Sequence, residues 1–413
     1  MKNRFITRIR PLLSLLLPLI ALPCVAAGQP ARWMASWASA QMPACAANQL
    51  PHASFQGATL RQTVHLSLGG SRVRLRLSNV FGAEPLVLRS VKAARAVSGQ
   101  PGAIDAASST PVLFDGKDAV TVPAGAELFS DAVALPAEPL GDLAVSMVLE
   151  SAPACATSHP GAHATAFLAA GAHADDARLN GAESFLHWYF LSAIDVDNPQ
   201  AQGVVAAFGD SITDGHGATD DKNDRWPDVL ATRLVAQGWG VVNLGIGGNC
   251  VLKVCLGPSA VSRFDRDVLG ISGVRSMILL EGINDIGTLD RLADHPQAEH
   301  DQLVASLEDG YRQLASRAHA HGLRVLGATM TPFLGSDYYH PGPLPESDRV
   351  RLNQWIRWSG VFDALVEFDA LAEDAKAPGH LLPAVDSGDH LHPGPEGYRR
   401  MGEAVPLAPF VSQ

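Results

Sequence analysis

Over residues 31–195 the apolar positions follow a strand period. Val73-Arg74-Leu75-Arg76-Leu77 alternates apolar and charged residues, the pattern of a strand with one buried face. Thr63-Val64-His65-Leu66-Ser67-Leu68 precedes it, and the intervening Gly69-Gly70-Ser71 predicts a hairpin turn. Short apolar runs recur at 87–91, 119–122 and 143–149 with Pro and Gly between them, and no long helical period interrupts the series. The pattern predicts an all-β sandwich of antiparallel strands, jelly-roll-like.

After about Val204 the period changes. Short apolar strands are predicted at 204–208, 241–243, 277–280, 324–328 and 365–368. Helical stretches fall between them, near 226–237 and over 301–320. Strands alternating with helices imply a parallel sheet covered on both faces, with its site beyond the carboxyl ends of the strands. The expected organisation is a leader over 1–27, a β-sandwich over 31–195, a linker near 195–202 containing Pro199, and an α/β domain over 203–413.

The leader reading rests on four bases (Lys2, Arg4, Arg8 and Arg10), the apolar run 12–22 and small residues at 24–27, a secretory signal. The run is short of the ~20 residues a membrane span needs and contains Pro18, so no stable membrane anchor is expected after cleavage. The protein would then be secreted or periplasmic. The full chain carries a formal net charge of −11. Losing the leader makes it more acidic, which disfavours nucleic acid as a partner. Composition, at 47% hydrophobic and 18% charged, is that of a folded protein with a sizeable core.

Four cysteines follow the leader: Cys45, Cys155, Cys250 and Cys255. An even count in an exported chain points to two disulfides. Pairing Cys45 with Cys155 and Cys250 with Cys255 keeps each bridge within one domain. Cross-domain pairing, or free thiols if the leader reading fails, are the alternatives.

Four sites past predicted strands carry candidate chemistry. Phe208-Gly209-Asp210-Ser211 puts a serine at the end of the first parallel strand. Its hydroxyl needs a base, and Asp389-His390-Leu391-His392 supplies a histidine with a carboxylate to hold its tautomer. The stretch Asn243–Asn249 offers glycine amides, and Gly282-Ile283-Asn284-Asp285 offers a side-chain amide, both suited to a developing oxyanion. Taken singly, each also reads as an ordinary turn, a helix cap or, for Asp389, His390 and His392, a metal-binding set.

In this order the four blocks closely resemble the SGNH/GDSL hydrolase family over residues 204–413. The resemblance implies a three-layer α/β/α, flavodoxin-like domain. It implies Ser211 as nucleophile, Asp389 and His392 as its partners, and an oxyanion hole from the Ser211 and Gly248 amides with Asn284. The first block reads GDSI where the family name has GDSL, a change at an apolar position. The stretch from Leu60-Arg61-Gln62 through Ser78-Asn79-Val80-Phe81-Gly82 resembles the β-rich domain of secreted two-domain members.

The implied reaction is hydrolysis of a carboxylic ester by acyl transfer, which requires no metal or organic cofactor. The expected substrate is a small acyl ester, with an acetylated polysaccharide as first candidate. A lipase or arylesterase is the runner-up. A carbohydrate-binding protein with a degenerate hydrolase domain and a metal-dependent hydrolase are the readings from other classes. The acidic stretch 220–224 reads as a solvated loop and His319 and His321 as a helix end. Phe333, Tyr338, Tyr339 and His340 lie on a loop that is either a pocket wall or packed surface.

Overall fold

Alternating burial builds the first half as antiparallel sheet. The computed structural model describes Met1 and residues 31–45 and 54–411; apart from Met1, the leader expected over 1–27 lies outside the described residues. A four-stranded sheet runs in the order Trp33–Ala38, Leu191–Asp197, Val73–Ser78, Glu127–Phe129. A larger sheet has Ala58–His65, Asp142–Ser151 and Leu86–Arg95 at its centre. A small third sheet joins Met42–Ala44, Ala156–His159 and Trp188–Tyr189. Leu60, Leu75, Leu88, Met147 and Ile194 fill the interior. The disulfide Cys45–Cys155 staples the small sheet where Met42–Ala44 meets Ala156–His159.

Two expectations are corrected. Ala58–His65 and Val73–Ser78 do not form a hairpin: the first pairs with Asp142–Ser151, the second with Leu191–Asp197, in separate sheets. The glycines between them make a corner, with Gly70 bridging Ala137. A hairpin and a sheet-switching corner use the same residues, so the local sequence does not separate them. The linker is also shorter than expected, because Leu191–Asp197 extends through residues 195–197. Arg74 pairs with buried Asp195 at 2.8 Å and Arg72 with Asp197 at 2.6 Å, which lets charged residues sit in the strand.

The second half is a five-stranded parallel sheet. Gly203–Gly209, buried throughout, lies between Trp239–Gly245 and Val274–Leu280, followed by Arg324–Ala328 and Ala364–Val366. This is the doubly wound, flavodoxin-like order. Helix Trp226–Leu234 packs on Pro395–Ala404, and Gln297–Ala320 on Pro343–Trp358. Val304, Leu307, Tyr311, Leu314 and Ala318 recur at helical spacing and are buried, so Gln297–Ala320 has one core-facing stripe. Among the described residues no helix is long and apolar enough to cross a membrane.

Residues Arg32–Gln413 form one compact unit. Strand Trp33–Ala38 lies against Trp239–Gly245, with the Ala35 amide donating to the Ser272 carbonyl at 2.9 Å. The Val241 amide donates to Ser67 Oγ at 3.1 Å. One hydrophobic cluster runs from Trp37 and Leu68 to Val242 and Phe208, so the two halves share a core.

Candidate active site

Register sets the site. Gly209 stands opposite Gly245 on one side and Leu280 on the other, so three strands end at one level. Ser211, Gly248 and Asn284 each follow within a few residues and collect at that edge. Past Gly209, the Asp210 side chain caps the short helix Ser211–Asp214 by accepting the Ile212 amide at 2.9 Å. Ser211 thus begins a helix at the sheet edge, buried except for a small exposed fraction.

The Asp389–His392 turn folds onto it. Asp389 Oδ1 accepts the backbone amides of Leu391 at 3.0 Å and His392 at 2.8 Å. Its other oxygen accepts His392 Nδ1–H at 2.6 Å. A carboxylate only accepts, so Nδ1 carries the proton and Nε2 is free to receive one. Ser211 Oγ lies 2.8 Å from His392 Nε2. Burial pushes the Asp389 carboxyl up, but the hydrogen bonds from His392 and Leu391 outweigh it and hold it well below the usual carboxylate range.

The loops that carry Gly248 and Asn284 are braced by their neighbours. Gly248 sits at φ +67°, in the left-handed region, with Leu256 packed where a side chain would go. The Cys250–Cys255 disulfide closes the loop beside it. Asn284 Nδ2 donates to the Asn249 carbonyl at 2.7 Å, and Asn284 Oδ1 accepts the Tyr339 hydroxyl at 2.5 Å. Those two bonds orient the amide and leave it a second N–H. Burial pushes the Tyr339 phenol up to about 12, so it stays a donor.

Beneath the loops lies a fully buried arginine. Arg263 donates to the carbonyls of Gly209 and Leu244 at 2.8 Å each, to Asn249 Oδ1 at 2.9 Å and to Glu281 at 3.3 Å. One guanidinium therefore ties together the strand ends that carry Ser211, Gly248 and Asn284. Asp210 faces this charge, and Asp285 lies near Asp210 and accepts the Val251 amide at 2.8 Å. Burial pushes Asp210 up to about 7 and Asp285 up to about 6.

A pocket of about 700 Å³ opens over Ser211 and His392. Its walls include Gly248, Asn284, Leu256, Tyr338 and Tyr339, and, from the antiparallel half, Met42, Pro160, Gly161 and His163. Tyr338 and Tyr339 are pocket wall, whereas Phe333 is core and His340 is exposed. Sequence reasoning passed over His216, whose ring lies 4.1 Å from that of His392 and whose Nε2 is 3.7 Å from Asp389 Oδ2. Burial, and repulsion between the two rings were His392 also protonated, hold the His216 ring below the ordinary histidine value. Among the described residues His216, Asp389 and His392 are a set able to hold a cation. His390 instead turns away to Asp386 at 2.6 Å, so the set of Asp389, His390 and His392 is not assembled.

Residues 207–400 match the model of the GDSL-like Lipase/Acylhydrolase family. No curated protein matches the chain. Among solved structures it is similar to a carbohydrate acetylesterase from Sinorhizobium meliloti, at 15% identity and TM-score 0.38, over 49% of this chain and 96% of that one. It is similar to the M. smegmatis aryl esterase, at 15% identity and TM-score 0.37, over 49% and 96%. A GDSL-like lipase from Bacteroides thetaiotaomicron shares 18% identity at TM-score 0.36, over 50% and 87%. Residues 207–400, which hold Ser211, Gly248, Asn284, Asp389 and His392, are a GDSL-like lipase/acylhydrolase domain.

Proposed function

We propose that the protein is an exported hydrolase of carboxylic esters that works through an acyl-enzyme on Ser211. The observation that carries the reading is the unbroken chain from Ser211 Oγ to His392 Nε2 at 2.8 Å and from His392 Nδ1 to Asp389 at 2.6 Å. Ser211 Oγ attacks the carbonyl carbon and its proton passes to His392 Nε2. The amides of Ser211 and Gly248 and the Asn284 side chain hold the oxyanion. The alkoxide leaves with the proton from His392. Water then attacks the acyl group, His392 takes its proton, and the acid departs as Ser211 recovers its hydrogen.

Ser211→Ala tests the assignment. The purified variant should fold as the parent, give no burst of p-nitrophenol from p-nitrophenyl acetate, and keep under a few per cent of the parent kcat. A larger residue of activity would remove Ser211 from the role of nucleophile.

The favoured substrate is a small acyl ester, such as an acetyl group on a polysaccharide, which fits an exported protein with an open site. A second reading, esters with an apolar or aromatic part, is favoured by a specific feature. Met42, Leu256 and Leu391 line the pocket, and Val254, within the disulfide-closed loop, and Leu256, just past it, are 76% and 58% exposed. A panel of p-nitrophenyl esters of rising chain length, run beside acetylated xylan, separates the two. Acetate release from xylan with no gain on longer chains supports the first, and kcat/KM that climbs with chain length supports the second.

A further inference from the structure

The antiparallel half reaches the hydrolytic site through His159, a buried residue on Ala156–His159 that the proposed chemistry does not use. His159 Nδ1 lies 2.8 Å from the Ala40 carbonyl, and Nε2 lies 2.9 Å from Asp214 Oδ1. A carbonyl only accepts, so Nδ1 bears a proton. The other Asp214 oxygen accepts the Gly247 amide at 2.9 Å. With Asp214 acting as a carboxylate acceptor, Nε2 donates as well, and the ring is an imidazolium. Burial pushes His159 down, but the Asp214 charge and its hydrogen bond outweigh burial and raise it.

The surroundings are built for this contact. Gly161 approaches Asp214 so closely that a Cβ there would lie 2.1 Å from its carboxylate oxygen. Trp188 stacks on the His159 ring at 5.6 Å. The charged and titratable groups facing His159 are Asp214, Arg225 and His187, with His65 and Asp228 lining the same small cleft. His187 is held neutral, pushed down to about 3 by burial and by His159.

We propose that His159 is a positioning residue: its doubly donating ring fixes the Asp214 carboxylate, Asp214 holds the Gly247 amide, and this aims the adjacent Gly248 amide at the oxyanion. The antiparallel half is then a working part of the hydrolase. This goes beyond the ester-hydrolase reading but rests on it for the role of Gly248.

The test uses the full chain. In wild type, ¹⁵N-histidine spectra at pH 7.5 should show one imidazolium pattern that is absent from His159→Phe, a variant that keeps the stack on Trp188. Asp214→Ala removes the Gly247 acceptor and should lower kcat roughly tenfold to a hundredfold, with KM within about threefold. Asp214→Asn keeps an acceptor and should recover kcat to within about fivefold of wild type. His159→Phe should fall between them. A neutral His159 ring in wild type overturns the proposal. So does a loss confined to KM, or Asp214→Ala within twofold of wild type in kcat. If the alanine variant does not fold, the wild-type spectrum and Asp214→Asn decide. Stoichiometric labelling of Ser211 by diethyl p-nitrophenyl phosphate tests the ester-hydrolase reading separately. Unlabelled wild type would sink that reading and this one with it, whereas a labelled enzyme indifferent to Asp214→Ala sinks only this one.

Discussion

Asp389 holds His392 at two points, accepting the ring Nδ1–H at 2.6 Å on one oxygen and the backbone amide at 2.8 Å on the other. The turn that presents His392 is thus built by the same carboxylate that selects its tautomer. Asp389→Asn keeps an acceptor for the backbone but can turn its NH₂ toward the ring, which reverses the tautomer and removes the charge. We expect kcat to fall by about 10³–10⁴ with the fold retained. A variant with unchanged kcat would mean that another group orients His392.

The same pair gives a pH dependence with a defined sign. The folded-state carboxyl of Asp389 lies below its unfolded value. Its stabilisation is therefore present above the ordinary carboxylate range and is lost as pH falls through the depressed value. Asp389→Asn cannot ionise, so its melting temperature should fall less than that of wild type as the pH is lowered below the ordinary carboxylate range. An equal fall in both proteins would mean that Asp389 carries none of this stability.

Asn284 is oriented from both ends, by Tyr339 on its oxygen and by the Asn249 carbonyl on its nitrogen. Asn284→Ala should lower kcat by roughly 10²–10³ with a smaller change in KM, since the lost donor faces charge that exists in the transition state. Tyr339→Phe removes the clamp alone and should cost less, about tenfold. An effect of Asn284→Ala on KM alone would move the residue to substrate binding.

Ser211, Gly248 and Asn284 were legible because each lies within a few residues of a strand end, whereas the Asp389–His392 turn, far past the last strand Ala364–Val366, was legible from its own Asp-x-x-His spacing. Ser211, Gly248, Asn284 and the Asp389–His392 turn carry their local geometry in local sequence: a cap, a positive-φ glycine, an Asx turn. What escaped comes from across the molecule. Met42, His159, Pro160 and Gly161 meet the pocket or Asp214 through contacts between the halves, for which no motif exists. Arg263 was not singled out in the sequence, yet its side chain is buried because strand ends and loops around it supply acceptors. The acidic stretch 220–224 also has partners: Asp221 accepts from the Thr165 amide and hydroxyl, at 2.7 and 2.6 Å. Alternation located the strands near 63–68 and 73–77, but alternation reports only which face is buried, so their partners were misassigned.

Asp285 offers a stability test. Burial raises its carboxyl to about 6 even though the amides of Val251 and Leu252 donate to it. A folded value above the unfolded one means that stability falls as pH rises from about 4 to about 6, by roughly 3 kcal/mol. Asp285→Asn cannot ionise and keeps one acceptor oxygen. Its melting temperature relative to wild type should therefore be higher at pH 7 than at pH 4.5. An equal difference at both pH values would mean that Asp285 does not carry the shift.

The last expectation concerns the Cys250–Cys255 bridge. It closes a loop of sequence separation 5 that starts two residues after Gly248. Chain entropy assigns about 2 kcal/mol to so short a loop, so its removal should be a small loss in global stability. The local effect is larger in principle, because an oxyanion donor must be in place before charge develops. The loop has other ties, however. Asn249 Nδ2 donates to the carbonyls of Leu256 at 3.1 Å and Pro258 at 2.8 Å, and the Leu256 amide donates to the Gly248 carbonyl at 3.2 Å. These bonds survive reduction, so the double variant Cys250→Ser/Cys255→Ser should keep its site but hold Gly248 less tightly. We expect kcat to fall about threefold to tenfold, KM to change less, and the melting temperature to drop slightly. Peptide mapping without reductant should first find Cys250 joined to Cys255 and Cys45 to Cys155. Full kcat in the double variant would reduce the bridge to a structural staple, and a free Cys250 in exported protein would remove it from the account of the oxyanion loop altogether.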